Sequence, residues 1–221
     1  MVDQNFRDFI IHCQGPPQIL KLFRQVCLAT NYLHREGYCH RDLKPENILV
    51  HHERNAYISD FGSIKMLQRL GFLQPEQYAG PAGDFRYTSP ELLCGLNDNE
   101  RNFISGDKFA LGAILFEAFT KEVFSSKFQG YHLLCTGNFT QLMYSRPYLE
   151  RERAYEEILA QVLREEHIPR IYDFSSFVPS TIKQELNLLF QKLVQPDYRK
   201  RTIDFDEIFR RIDNCISLLK K

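Results

Sequence analysis

The sequence predicts a mainly α (α+β) fold, in which a bundle of helices surrounds one short β-hairpin. Apolar residues recur at helical spacing through most of the chain, which favours amphipathic helices. Strand-like runs occur at 48–51 and 56–59, and the polar turn 52–55 between them indicates a hairpin. The 221 residues, 43% hydrophobic and 25% charged, suffice for one domain with its own core.

The helices are assigned in chain order from their periodicity and from the residues that end them. A short amphipathic helix is predicted over 3–11 and should stop at Gly15-Pro16-Pro17. A longer helix with a wide apolar face follows and should end at Gly37, a residue type common after helix C-termini. The other predicted helices cover 92–96, 107–120, 150–166, a segment starting at 179, and 204–220.

Charge and cysteine content argue against several classes of partner. Lys plus Arg equals Asp plus Glu, 28 each, so no net field draws the chain to nucleic acid or to an anionic membrane. The six cysteines form no C-x-x-C pair, which favours free thiols in a reducing compartment. The N-terminus lacks a signal-peptide pattern, and the longest apolar run, 109–119, is too short to span a bilayer. We therefore expect a cytoplasmic protein that binds neither nucleic acid nor membrane.

An ionisable cluster precedes the first predicted strand. Asp42, Lys44 and Asn47 lie within six positions, so a loop held by the strand can aim a carboxylate, an ammonium and an amide at one point. Such groups suit a metal-bound polyphosphate and a hydroxyl nucleophile. At the exit of the second strand, Asp60 is followed by the flexible Gly62, and a carboxylate there can hold Mg²⁺ between phosphates.

This cluster carries a family resemblance. Residues 40–47, His-Arg-Asp-Leu-Lys-Pro-Glu-Asn, resemble the catalytic loop H-R-D-L-x-x-x-N of the eukaryotic-type Ser/Thr protein kinases. Residues 60–62 resemble the D-F-G of that family, and residues 89–91, Ser-Pro-Glu, resemble the A-P-E that ends its activation segment. On this resemblance the activation segment covers 60–91, and the lysine at 44 is the Ser/Thr form of the loop.

The resemblance extends over essentially the whole chain, 1–221, as a protein-kinase-like C-terminal (large) lobe. Residues 107–112 are similar to D-x-W-x-x-G, with Phe109 at the Trp position. The 221 residues contain no Gly-rich loop, V-A-I-K lysine or αC glutamate, the motifs of the small N-terminal lobe. Residues 121–148 are irregular and longer than the family needs, so we interpret them as an insertion.

The resemblance implies a role for each residue of the cluster. Asp42 would accept or orient the substrate hydroxyl, and Lys44 would neutralise charge on the transferring γ-phosphate of ATP. Asn47 and Asp60 would hold Mg²⁺. Leu49 would lie beneath the adenine, although a strand leucine is a core residue in most proteins.

Other residues would support this site. His40 and Phe61 are expected to be packing elements, with His40 buried and hydrogen-bonded. Gly62 supplies flexibility after Asp60. By resemblance Asp107 would bond the backbone of the catalytic loop, and an ordinary helix N-cap would explain it equally well.

One further pairing is implied at the end of the activation segment. Residues 196–199 are similar to D-P-x-x-R, whose arginine pairs with the glutamate of A-P-E, here Glu91. Spacing from Pro196 selects Arg199, with Arg201 as a rival.

Two departures from the family pattern occur in the activation segment. Asp84 stands where Ser/Thr kinases usually carry a Thr, and its carboxylate would either capture Lys44 or raise a carboxylate pKa. Residues 64–87 contain no Ser or Thr, so Arg41, the usual partner of an activation-loop phosphate, lacks a Ser/Thr phosphosite there. Glu76 or Asp84 could substitute as a fixed charge.

The favoured interpretation is phosphoryl transfer from Mg-ATP to Ser/Thr hydroxyls of a protein substrate. The chain would be the catalytic lobe and would need a separate N-lobe polypeptide or a homodimer partner. The alternative from another class is a non-catalytic kinase-lobe binding or scaffold module. A small-molecule phosphotransferase is less favoured, because Arg41, Lys44 and the Ser-Pro-Glu motif argue against it.

Overall fold

The computed structural model describes residues 4–13, 15–67, 83–96, 100–128, 146–165, 167–201 and 204–220. The helices in these ranges are α1 (Phe6–His12), α2 (Pro16–Arg35), α3 (Pro90–Leu93), α4 (Glu100–Thr120), α5 (Tyr148–Glu165), α6 (Lys183–Leu193) and α7 (Phe205–Leu218). The strands are β1 (Gln4–Asn5), β2 (Tyr38–Cys39), β3 (Ile48–His51), β4 (Asn55–Ile58) and β5 (Lys65–Met66).

Two small antiparallel sheets accompany the helices. Strands β3 and β4 form the predicted hairpin, in register from Ile48 opposite Ile58 to His51 opposite Asn55, and β1 pairs with the free edge of β3. Strands β2 and β5 form a second pair. The sequence did not predict β1, β2 or β5, because a strand of two residues is too short to show alternation.

Helix α4 is the centre of the core. Its residues from Ser105 to Thr120 are all buried, which suits a helix that is apolar around its circumference. It packs against α2 and α6, and α7 packs against the same two helices. The rings of Phe116, Phe124 and Phe190 contact one another with centroids 5.3–5.5 Å apart.

Several helix boundaries differ from the sequence prediction. Pro16 and Pro17 begin α2 rather than separating two helices, since proline fits the first helical turn. Gly37, with φ +81°, follows the end of α2 as predicted. Helix α4 starts at Glu100, so Asp107 lies inside it and is not an N-cap.

Two predicted segments are described only in part. The structure describes 60–67 and 83–91 of the activation segment, so Glu76 lies outside the described residues. It describes 121–128 and 146–148 of the predicted insertion. Phe124 and Phe128, in the first of these pieces, are buried in the main core.

The cysteines in the described ranges, Cys13, Cys27, Cys39, Cys94 and Cys215, are free thiols. Among the described helices, none combines the length and apolar character that a bilayer crossing requires.

Candidate active site

Three groups converge on the carboxylate of Asp42, in the loop between β2 and β3. Lys44 Nζ donates to Oδ2 at 2.9 Å, and Asn47 Nδ2 donates to the same oxygen at 3.0 Å. The backbone N–H of Asp84 donates to Oδ1 at 2.9 Å. The structure thus brings together four residues that the sequence singled out, and it fixes both carboxylate oxygens.

The ammonium of Lys44 is held in its charged form. Partial burial works against the charge, but the hydrogen bond to Asp42 and the charge of that carboxylate outweigh it, so the pKa of Lys44 lies above its ordinary value. The side chain keeps 21% of its surface exposed. A cation is therefore available beside Asp42 to an anionic group that enters from solvent.

Asn47 connects the loop to the end of β4. Its Nδ2 also donates to the Asp42 carbonyl at 2.8 Å, which turns the side-chain oxygen to the opposite side of the amide. The backbone carbonyl of Asn47 accepts from Ser59 N at 2.9 Å and Ser59 Oγ at 3.1 Å. Asp60 directly follows Ser59, so these bonds place its backbone at the same end of the hairpin as Asn47.

Asp60 has a solvent-exposed carboxylate on a left-handed backbone, with φ +62°. One carboxylate oxygen accepts from the Gly62 N–H at 3.3 Å. A carboxylate and an amide oxygen are hard oxygen donors of the kind that Mg²⁺ takes, commonly with water and phosphate oxygens completing the shell. The donor set of Asp60 and Asn47 fits that ion.

His40 connects the loop that contains Asp42 to the end of β4. The side chain is buried, Nε2 lies 3.0 Å from the Ser59 carbonyl, and Nδ1 accepts from the Asp42 N–H at 3.3 Å. Its ring also packs on Phe61, with centroids 5.4 Å apart, yet Phe61 remains 48% exposed. The ring of Phe61 therefore presents an open apolar surface beside Asp60.

Asp107 holds the loop backbone from α4. Its two oxygens accept from the N–H groups of His40 and Arg41, both at 2.9 Å, and His34 Nε2 lies 2.8 Å away. Burial would raise the pKa of Asp107, but these hydrogen bonds outweigh it and the pKa lies below its ordinary value. They also stabilise Arg41 at φ +69°, a conformation that costs a non-glycine residue energy.

Asp84 does not capture Lys44. Its carboxylate binds Arg86 instead, with Arg86 Nε at 3.0 Å and Nη2 at 2.5 Å. The hydrogen bond from Arg86 lowers the pKa of Asp84, whereas the sequence prediction allowed for a raised carboxylate pKa. Arg86 therefore neutralises the Asp84 carboxylate, which offsets the repulsion expected between Asp84 and Asp42.

Comparison with known proteins agrees with this geometry. A family model described as the protein kinase domain matches residues 8–210. The chain belongs to the protein kinase family. The loop around Asp42 lies within the residues that this family model matches.

Individual relatives are serine/threonine-protein kinases. The chain is 38% identical over 99 residues to serine/threonine-protein kinase ppk34 of Schizosaccharomyces pombe, a match that covers 43% of this chain and 25% of the relative. It is 40% identical over 78 residues to a probable CHK1 homolog of Encephalitozoon cuniculi, covering 35% and 18%. PknB of Mycolicibacterium smegmatis is 32% identical over 116 residues, covering 51% and 18%. The chain therefore spans a quarter or less of the length of these kinases.

The partner of Glu91, at the end of the predicted activation segment, is Arg201. Arg201 Nη1 lies 2.6 Å from Glu91 Oε1, and both side chains are fully buried. The selection of Arg199 was wrong: its side chain is 45% exposed and binds the buried Asp197 at 2.9 Å and the exposed Glu156 at 2.5 Å. Counting from Pro196 failed because burial, and not spacing alone, decides which arginine reaches the core.

Leu49 lies on the outer face of the kinase hairpin. It is half-buried, directly opposite Tyr57 in the β3–β4 register, while Ile48 and Val50 on either side of it point into the core. Tyr57 is 52% exposed. The hairpin thus offers apolar surface on the side away from the helices.

Arg41 contacts an aromatic ring in the described part of the chain. Its guanidinium lies over Phe103, 5.3 Å from the ring centroid, and Lys65 Nζ lies at the same distance. Two cationic side chains therefore lie at the ring of Phe103.

Sequence reasoning missed three residues that support the kinase site. His34 bonds Asp107, and Arg86 bonds Asp84. Arg7, on α1, bonds Tyr87 and forms ion pairs with Glu117 at 3.1 Å and Glu46 at 3.3 Å. The D-x-R spacing could have indicated Arg86, but the partners of Arg7 and His34 are too distant in sequence for any local signal.

Proposed function

We propose that the chain is the catalytic large lobe of a serine/threonine protein kinase, which transfers the γ-phosphoryl group of Mg-ATP to a Ser or Thr hydroxyl of a protein substrate. The observation that carries the proposal is the convergence of Lys44, Asn47 and the Asp84 N–H on the carboxylate of Asp42. Phosphoryl transfer depends on positioning and charge neutralisation more than on covalent chemistry.

Each group has a part in one displacement. The hydroxyl oxygen of the substrate attacks the γ-phosphorus, the bond to the β-phosphate oxygen breaks, and ADP leaves. Asp42 orients the hydroxyl and accepts its proton. The ammonium of Lys44, held protonated beside Asp42, offsets negative charge on the transferring group.

The metal and nucleotide would be held by the hairpin and the residue that follows it. Asn47 and Asp60 would bind Mg²⁺, which supplies positive charge between the phosphate oxygens. Leu49 would contact the adenine from the outer face of the hairpin. These assignments are supported by the oxygen donors of Asn47 and Asp60 and by the partial exposure of Leu49.

The proposal includes a small lobe that closes the nucleotide site. Three exposed apolar side chains lie on β4 or shortly after it. They are Tyr57, Phe61 and Ile64, which are 52%, 48% and 36% exposed. Exposed apolar groups grouped in this way favour contact with another protein surface. We propose a small lobe as that surface, with a second copy of the chain as the alternative.

A non-catalytic binding module is the second candidate, because the same exposed apolar side chains could serve docking alone. Transfer of labelled phosphate separates the two. The assay uses Mg-[γ-³²P]ATP and a library of Ser- and Thr-containing peptides, with wild type, Asp42→Asn and Asp213→Asn as a matched surface control, since Asp213 pairs with Arg24 on the protein surface.

We expect incorporation by the wild type, a loss of about 100-fold or more in Asp42→Asn, and no change in Asp213→Asn. Equal incorporation by all three would refute the assigned role of Asp42. No incorporation by any of them, also after addition of candidate small-lobe polypeptides, would favour the binding module.

A further inference from the structure

We propose that Arg86 is a positioning residue for Asp42. Its guanidinium holds Asp84 in the orientation in which the Asp84 N–H bonds the catalytic carboxylate. This inference deepens the proposed kinase function and rests on it. Neither the resemblance nor the motifs of the sequence assign a role to Arg86.

The Asp84 N–H makes a contact that the catalytic loop does not duplicate. Lys44 and Asn47 both donate to Oδ2 of Asp42, at 2.9 and 3.0 Å. The Asp84 N–H donates to Oδ1, at 2.9 Å. Both oxygens of the Asp42 carboxylate are therefore held only while the Asp84 N–H is in place. Without it, only Oδ2 is bonded, and the carboxylate can rotate about its bond to Cβ more freely. A carboxylate that must orient a hydroxyl needs this restraint.

Arg86 fixes Asp84 through four hydrogen bonds to its carboxylate. Nε donates to Oδ1 at 3.0 Å and to Oδ2 at 3.1 Å, and Nη2 donates to Oδ2 at 2.5 Å. The backbone N–H of Arg86 donates to Oδ1 at 3.0 Å. A forked guanidinium–carboxylate pair restricts orientation as well as distance. The Asp84 side chain is only 16% exposed, which limits competition from water.

The same guanidinium also reaches the catalytic loop. Arg86 Nη2 lies 3.6 Å from Glu46 Oε1, and Glu46 directly precedes Asn47. Arg86 therefore lies between a carboxylate of the activation segment and a carboxylate of the catalytic loop. Its positive charge attracts both segments, and the Asp84–Asp42 contact lies at their junction.

The Asp84 carbonyl anchors the following residues. It accepts from the N–H groups of Tyr87 and Thr88, both at 3.0 Å, and from Thr88 Oγ1 at 2.9 Å. Asp84 is thus fixed by its amide, its carbonyl and its side chain. Arg86 supplies the side-chain part, so its removal should release the amide without dismantling the turn.

The chain contains a matched control for this motif. Asp197-Tyr198-Arg199 repeats the acidic, aromatic, arginine order of Asp84-Phe85-Arg86. Arg199 N and Nε donate to Asp197 Oδ1 at 3.2 and 2.9 Å, which corresponds to the bonds of Arg86 N and Nε to Asp84 Oδ1. Its other partner is Glu156, on α5. Arg199→Ala therefore removes an arginine–aspartate pair of the same spacing whose other partner is on α5 and not on the catalytic loop.

The test combines kinetics with amide hydrogen exchange in Arg86→Ala, Arg86→Lys and Arg199→Ala. In Arg86→Ala we expect kcat to fall about 10- to 100-fold, while KM for ATP stays within about twofold. Exchange of the Asp84 amide should become about tenfold faster or more. Arg86→Lys keeps the charge but not the fork, so it should be intermediate. Arg199→Ala should match the wild type in both readouts.

Unchanged kcat with unchanged Asp84 exchange in Arg86→Ala would overturn the inference, as would equal effects of Arg199→Ala. If wild type and Asp42→Asn are equally inactive, the proposed function fails, and Asp84 exchange still decides whether Arg86 positions this amide. If Arg86→Ala does not fold, Arg86→Lys and Arg86→Gln provide the same comparison.

Discussion

Arg201 and Glu91 form a two-point ion pair in the protein interior. Nη1 and Nη2 of the arginine lie 2.6 and 3.1 Å from the two carboxylate oxygens, and neither side chain is exposed. The remaining guanidinium donors are satisfied by Ser105 and the Gln195 carbonyl. The pair ties the end of the activation segment to the chain that precedes α7.

Removing the arginine should leave Glu91 buried without its counter-charge. We expect Arg201→Met to lower the free energy of unfolding by about 3–5 kcal/mol, because a lone buried charge is costly. Arg199→Ala, which removes a half-exposed arginine and leaves Lys200 beside Asp197, should cost about 1 kcal/mol or less. Urea denaturation followed by circular dichroism measures both. Similar losses in the two variants would contradict the structure.

Asp107 should control the order of the catalytic loop. Asp107→Asn replaces one acceptor oxygen by an NH₂ group, so either the His40 or the Arg41 N–H loses its partner. We expect a loss of about 1–3 kcal/mol in stability and faster exchange of these two amides. Asp213→Asn serves as the surface control. Unaltered exchange at both positions would show that Asp107 does not hold the loop.

Gly83 allows the activation segment to approach the catalytic loop. A Cβ there would lie 2.4 Å from the Arg41 carbonyl oxygen, and φ is +87°. Gly83→Ala should therefore lose about 1–2 kcal/mol from the left-handed backbone alone, and the displaced segment should reduce phosphate transfer. At Gly15 the nearest atom would be 3.9 Å away. If Gly83→Ala proved as stable and as active as Gly15→Ala, the close approach would be wrong.

Lys108 should make stability depend on pH. Burial lowers its pKa from 10.5 to about 7, although Cys27, Asp107 and Asp204 lie close enough to favour the charge. Its Nζ lies 3.2 Å from the ring centroid of Phe205. Above about pH 7 the folded lysine is neutral while the unfolded one stays protonated, so the free energy of unfolding should rise with pH up to about 10.5.

Measurement between about pH 7 and pH 8.5 stays below the range in which tyrosine ionises, and the six cysteines, which begin to ionise there, are common to both proteins. The wild type should gain stability over this range relative to Lys108→Met, in which the titrating group is absent. Parallel pH curves for the two proteins would show that Lys108 is charged in the folded state.

The sequence was sufficient for the parts of the fold that depend on local pattern. Periodicity predicted α2 and α4, because both helices are long enough for the helical repeat to appear. The β3–β4 hairpin was placed within one residue. Helix α4 starts seven residues before the predicted start at Asp107, because tertiary burial there overrides the weak local pattern. Strands of two residues carry no pattern at all.

In the candidate site, too, the sequence predicted contacts within one loop but not contacts between distant segments. The motif residues Asp42, Lys44 and Asn47 are close in sequence, and their meeting follows from one short loop. The contacts of Arg86 with Glu46 and of Arg201 with Glu91 join distant segments, and only the packed core determines them. Local spacing favoured Arg199 as the partner of Glu91, because Arg199 occupies the motif position, although its side chain is not buried.

In the proposed kinase site, Asn47 and Asp60 would hold one metal ion beside Asp42. Titration of Mn²⁺ in the presence of ATP tests it directly by NMR, through paramagnetic broadening of nearby signals. We predict that the side-chain amide of Asn47 and the backbone amide of Gly62 broaden together, and that Asp60→Asn abolishes both effects. Broadening at neither group, or at one without the other, would contradict a shared metal–nucleotide site.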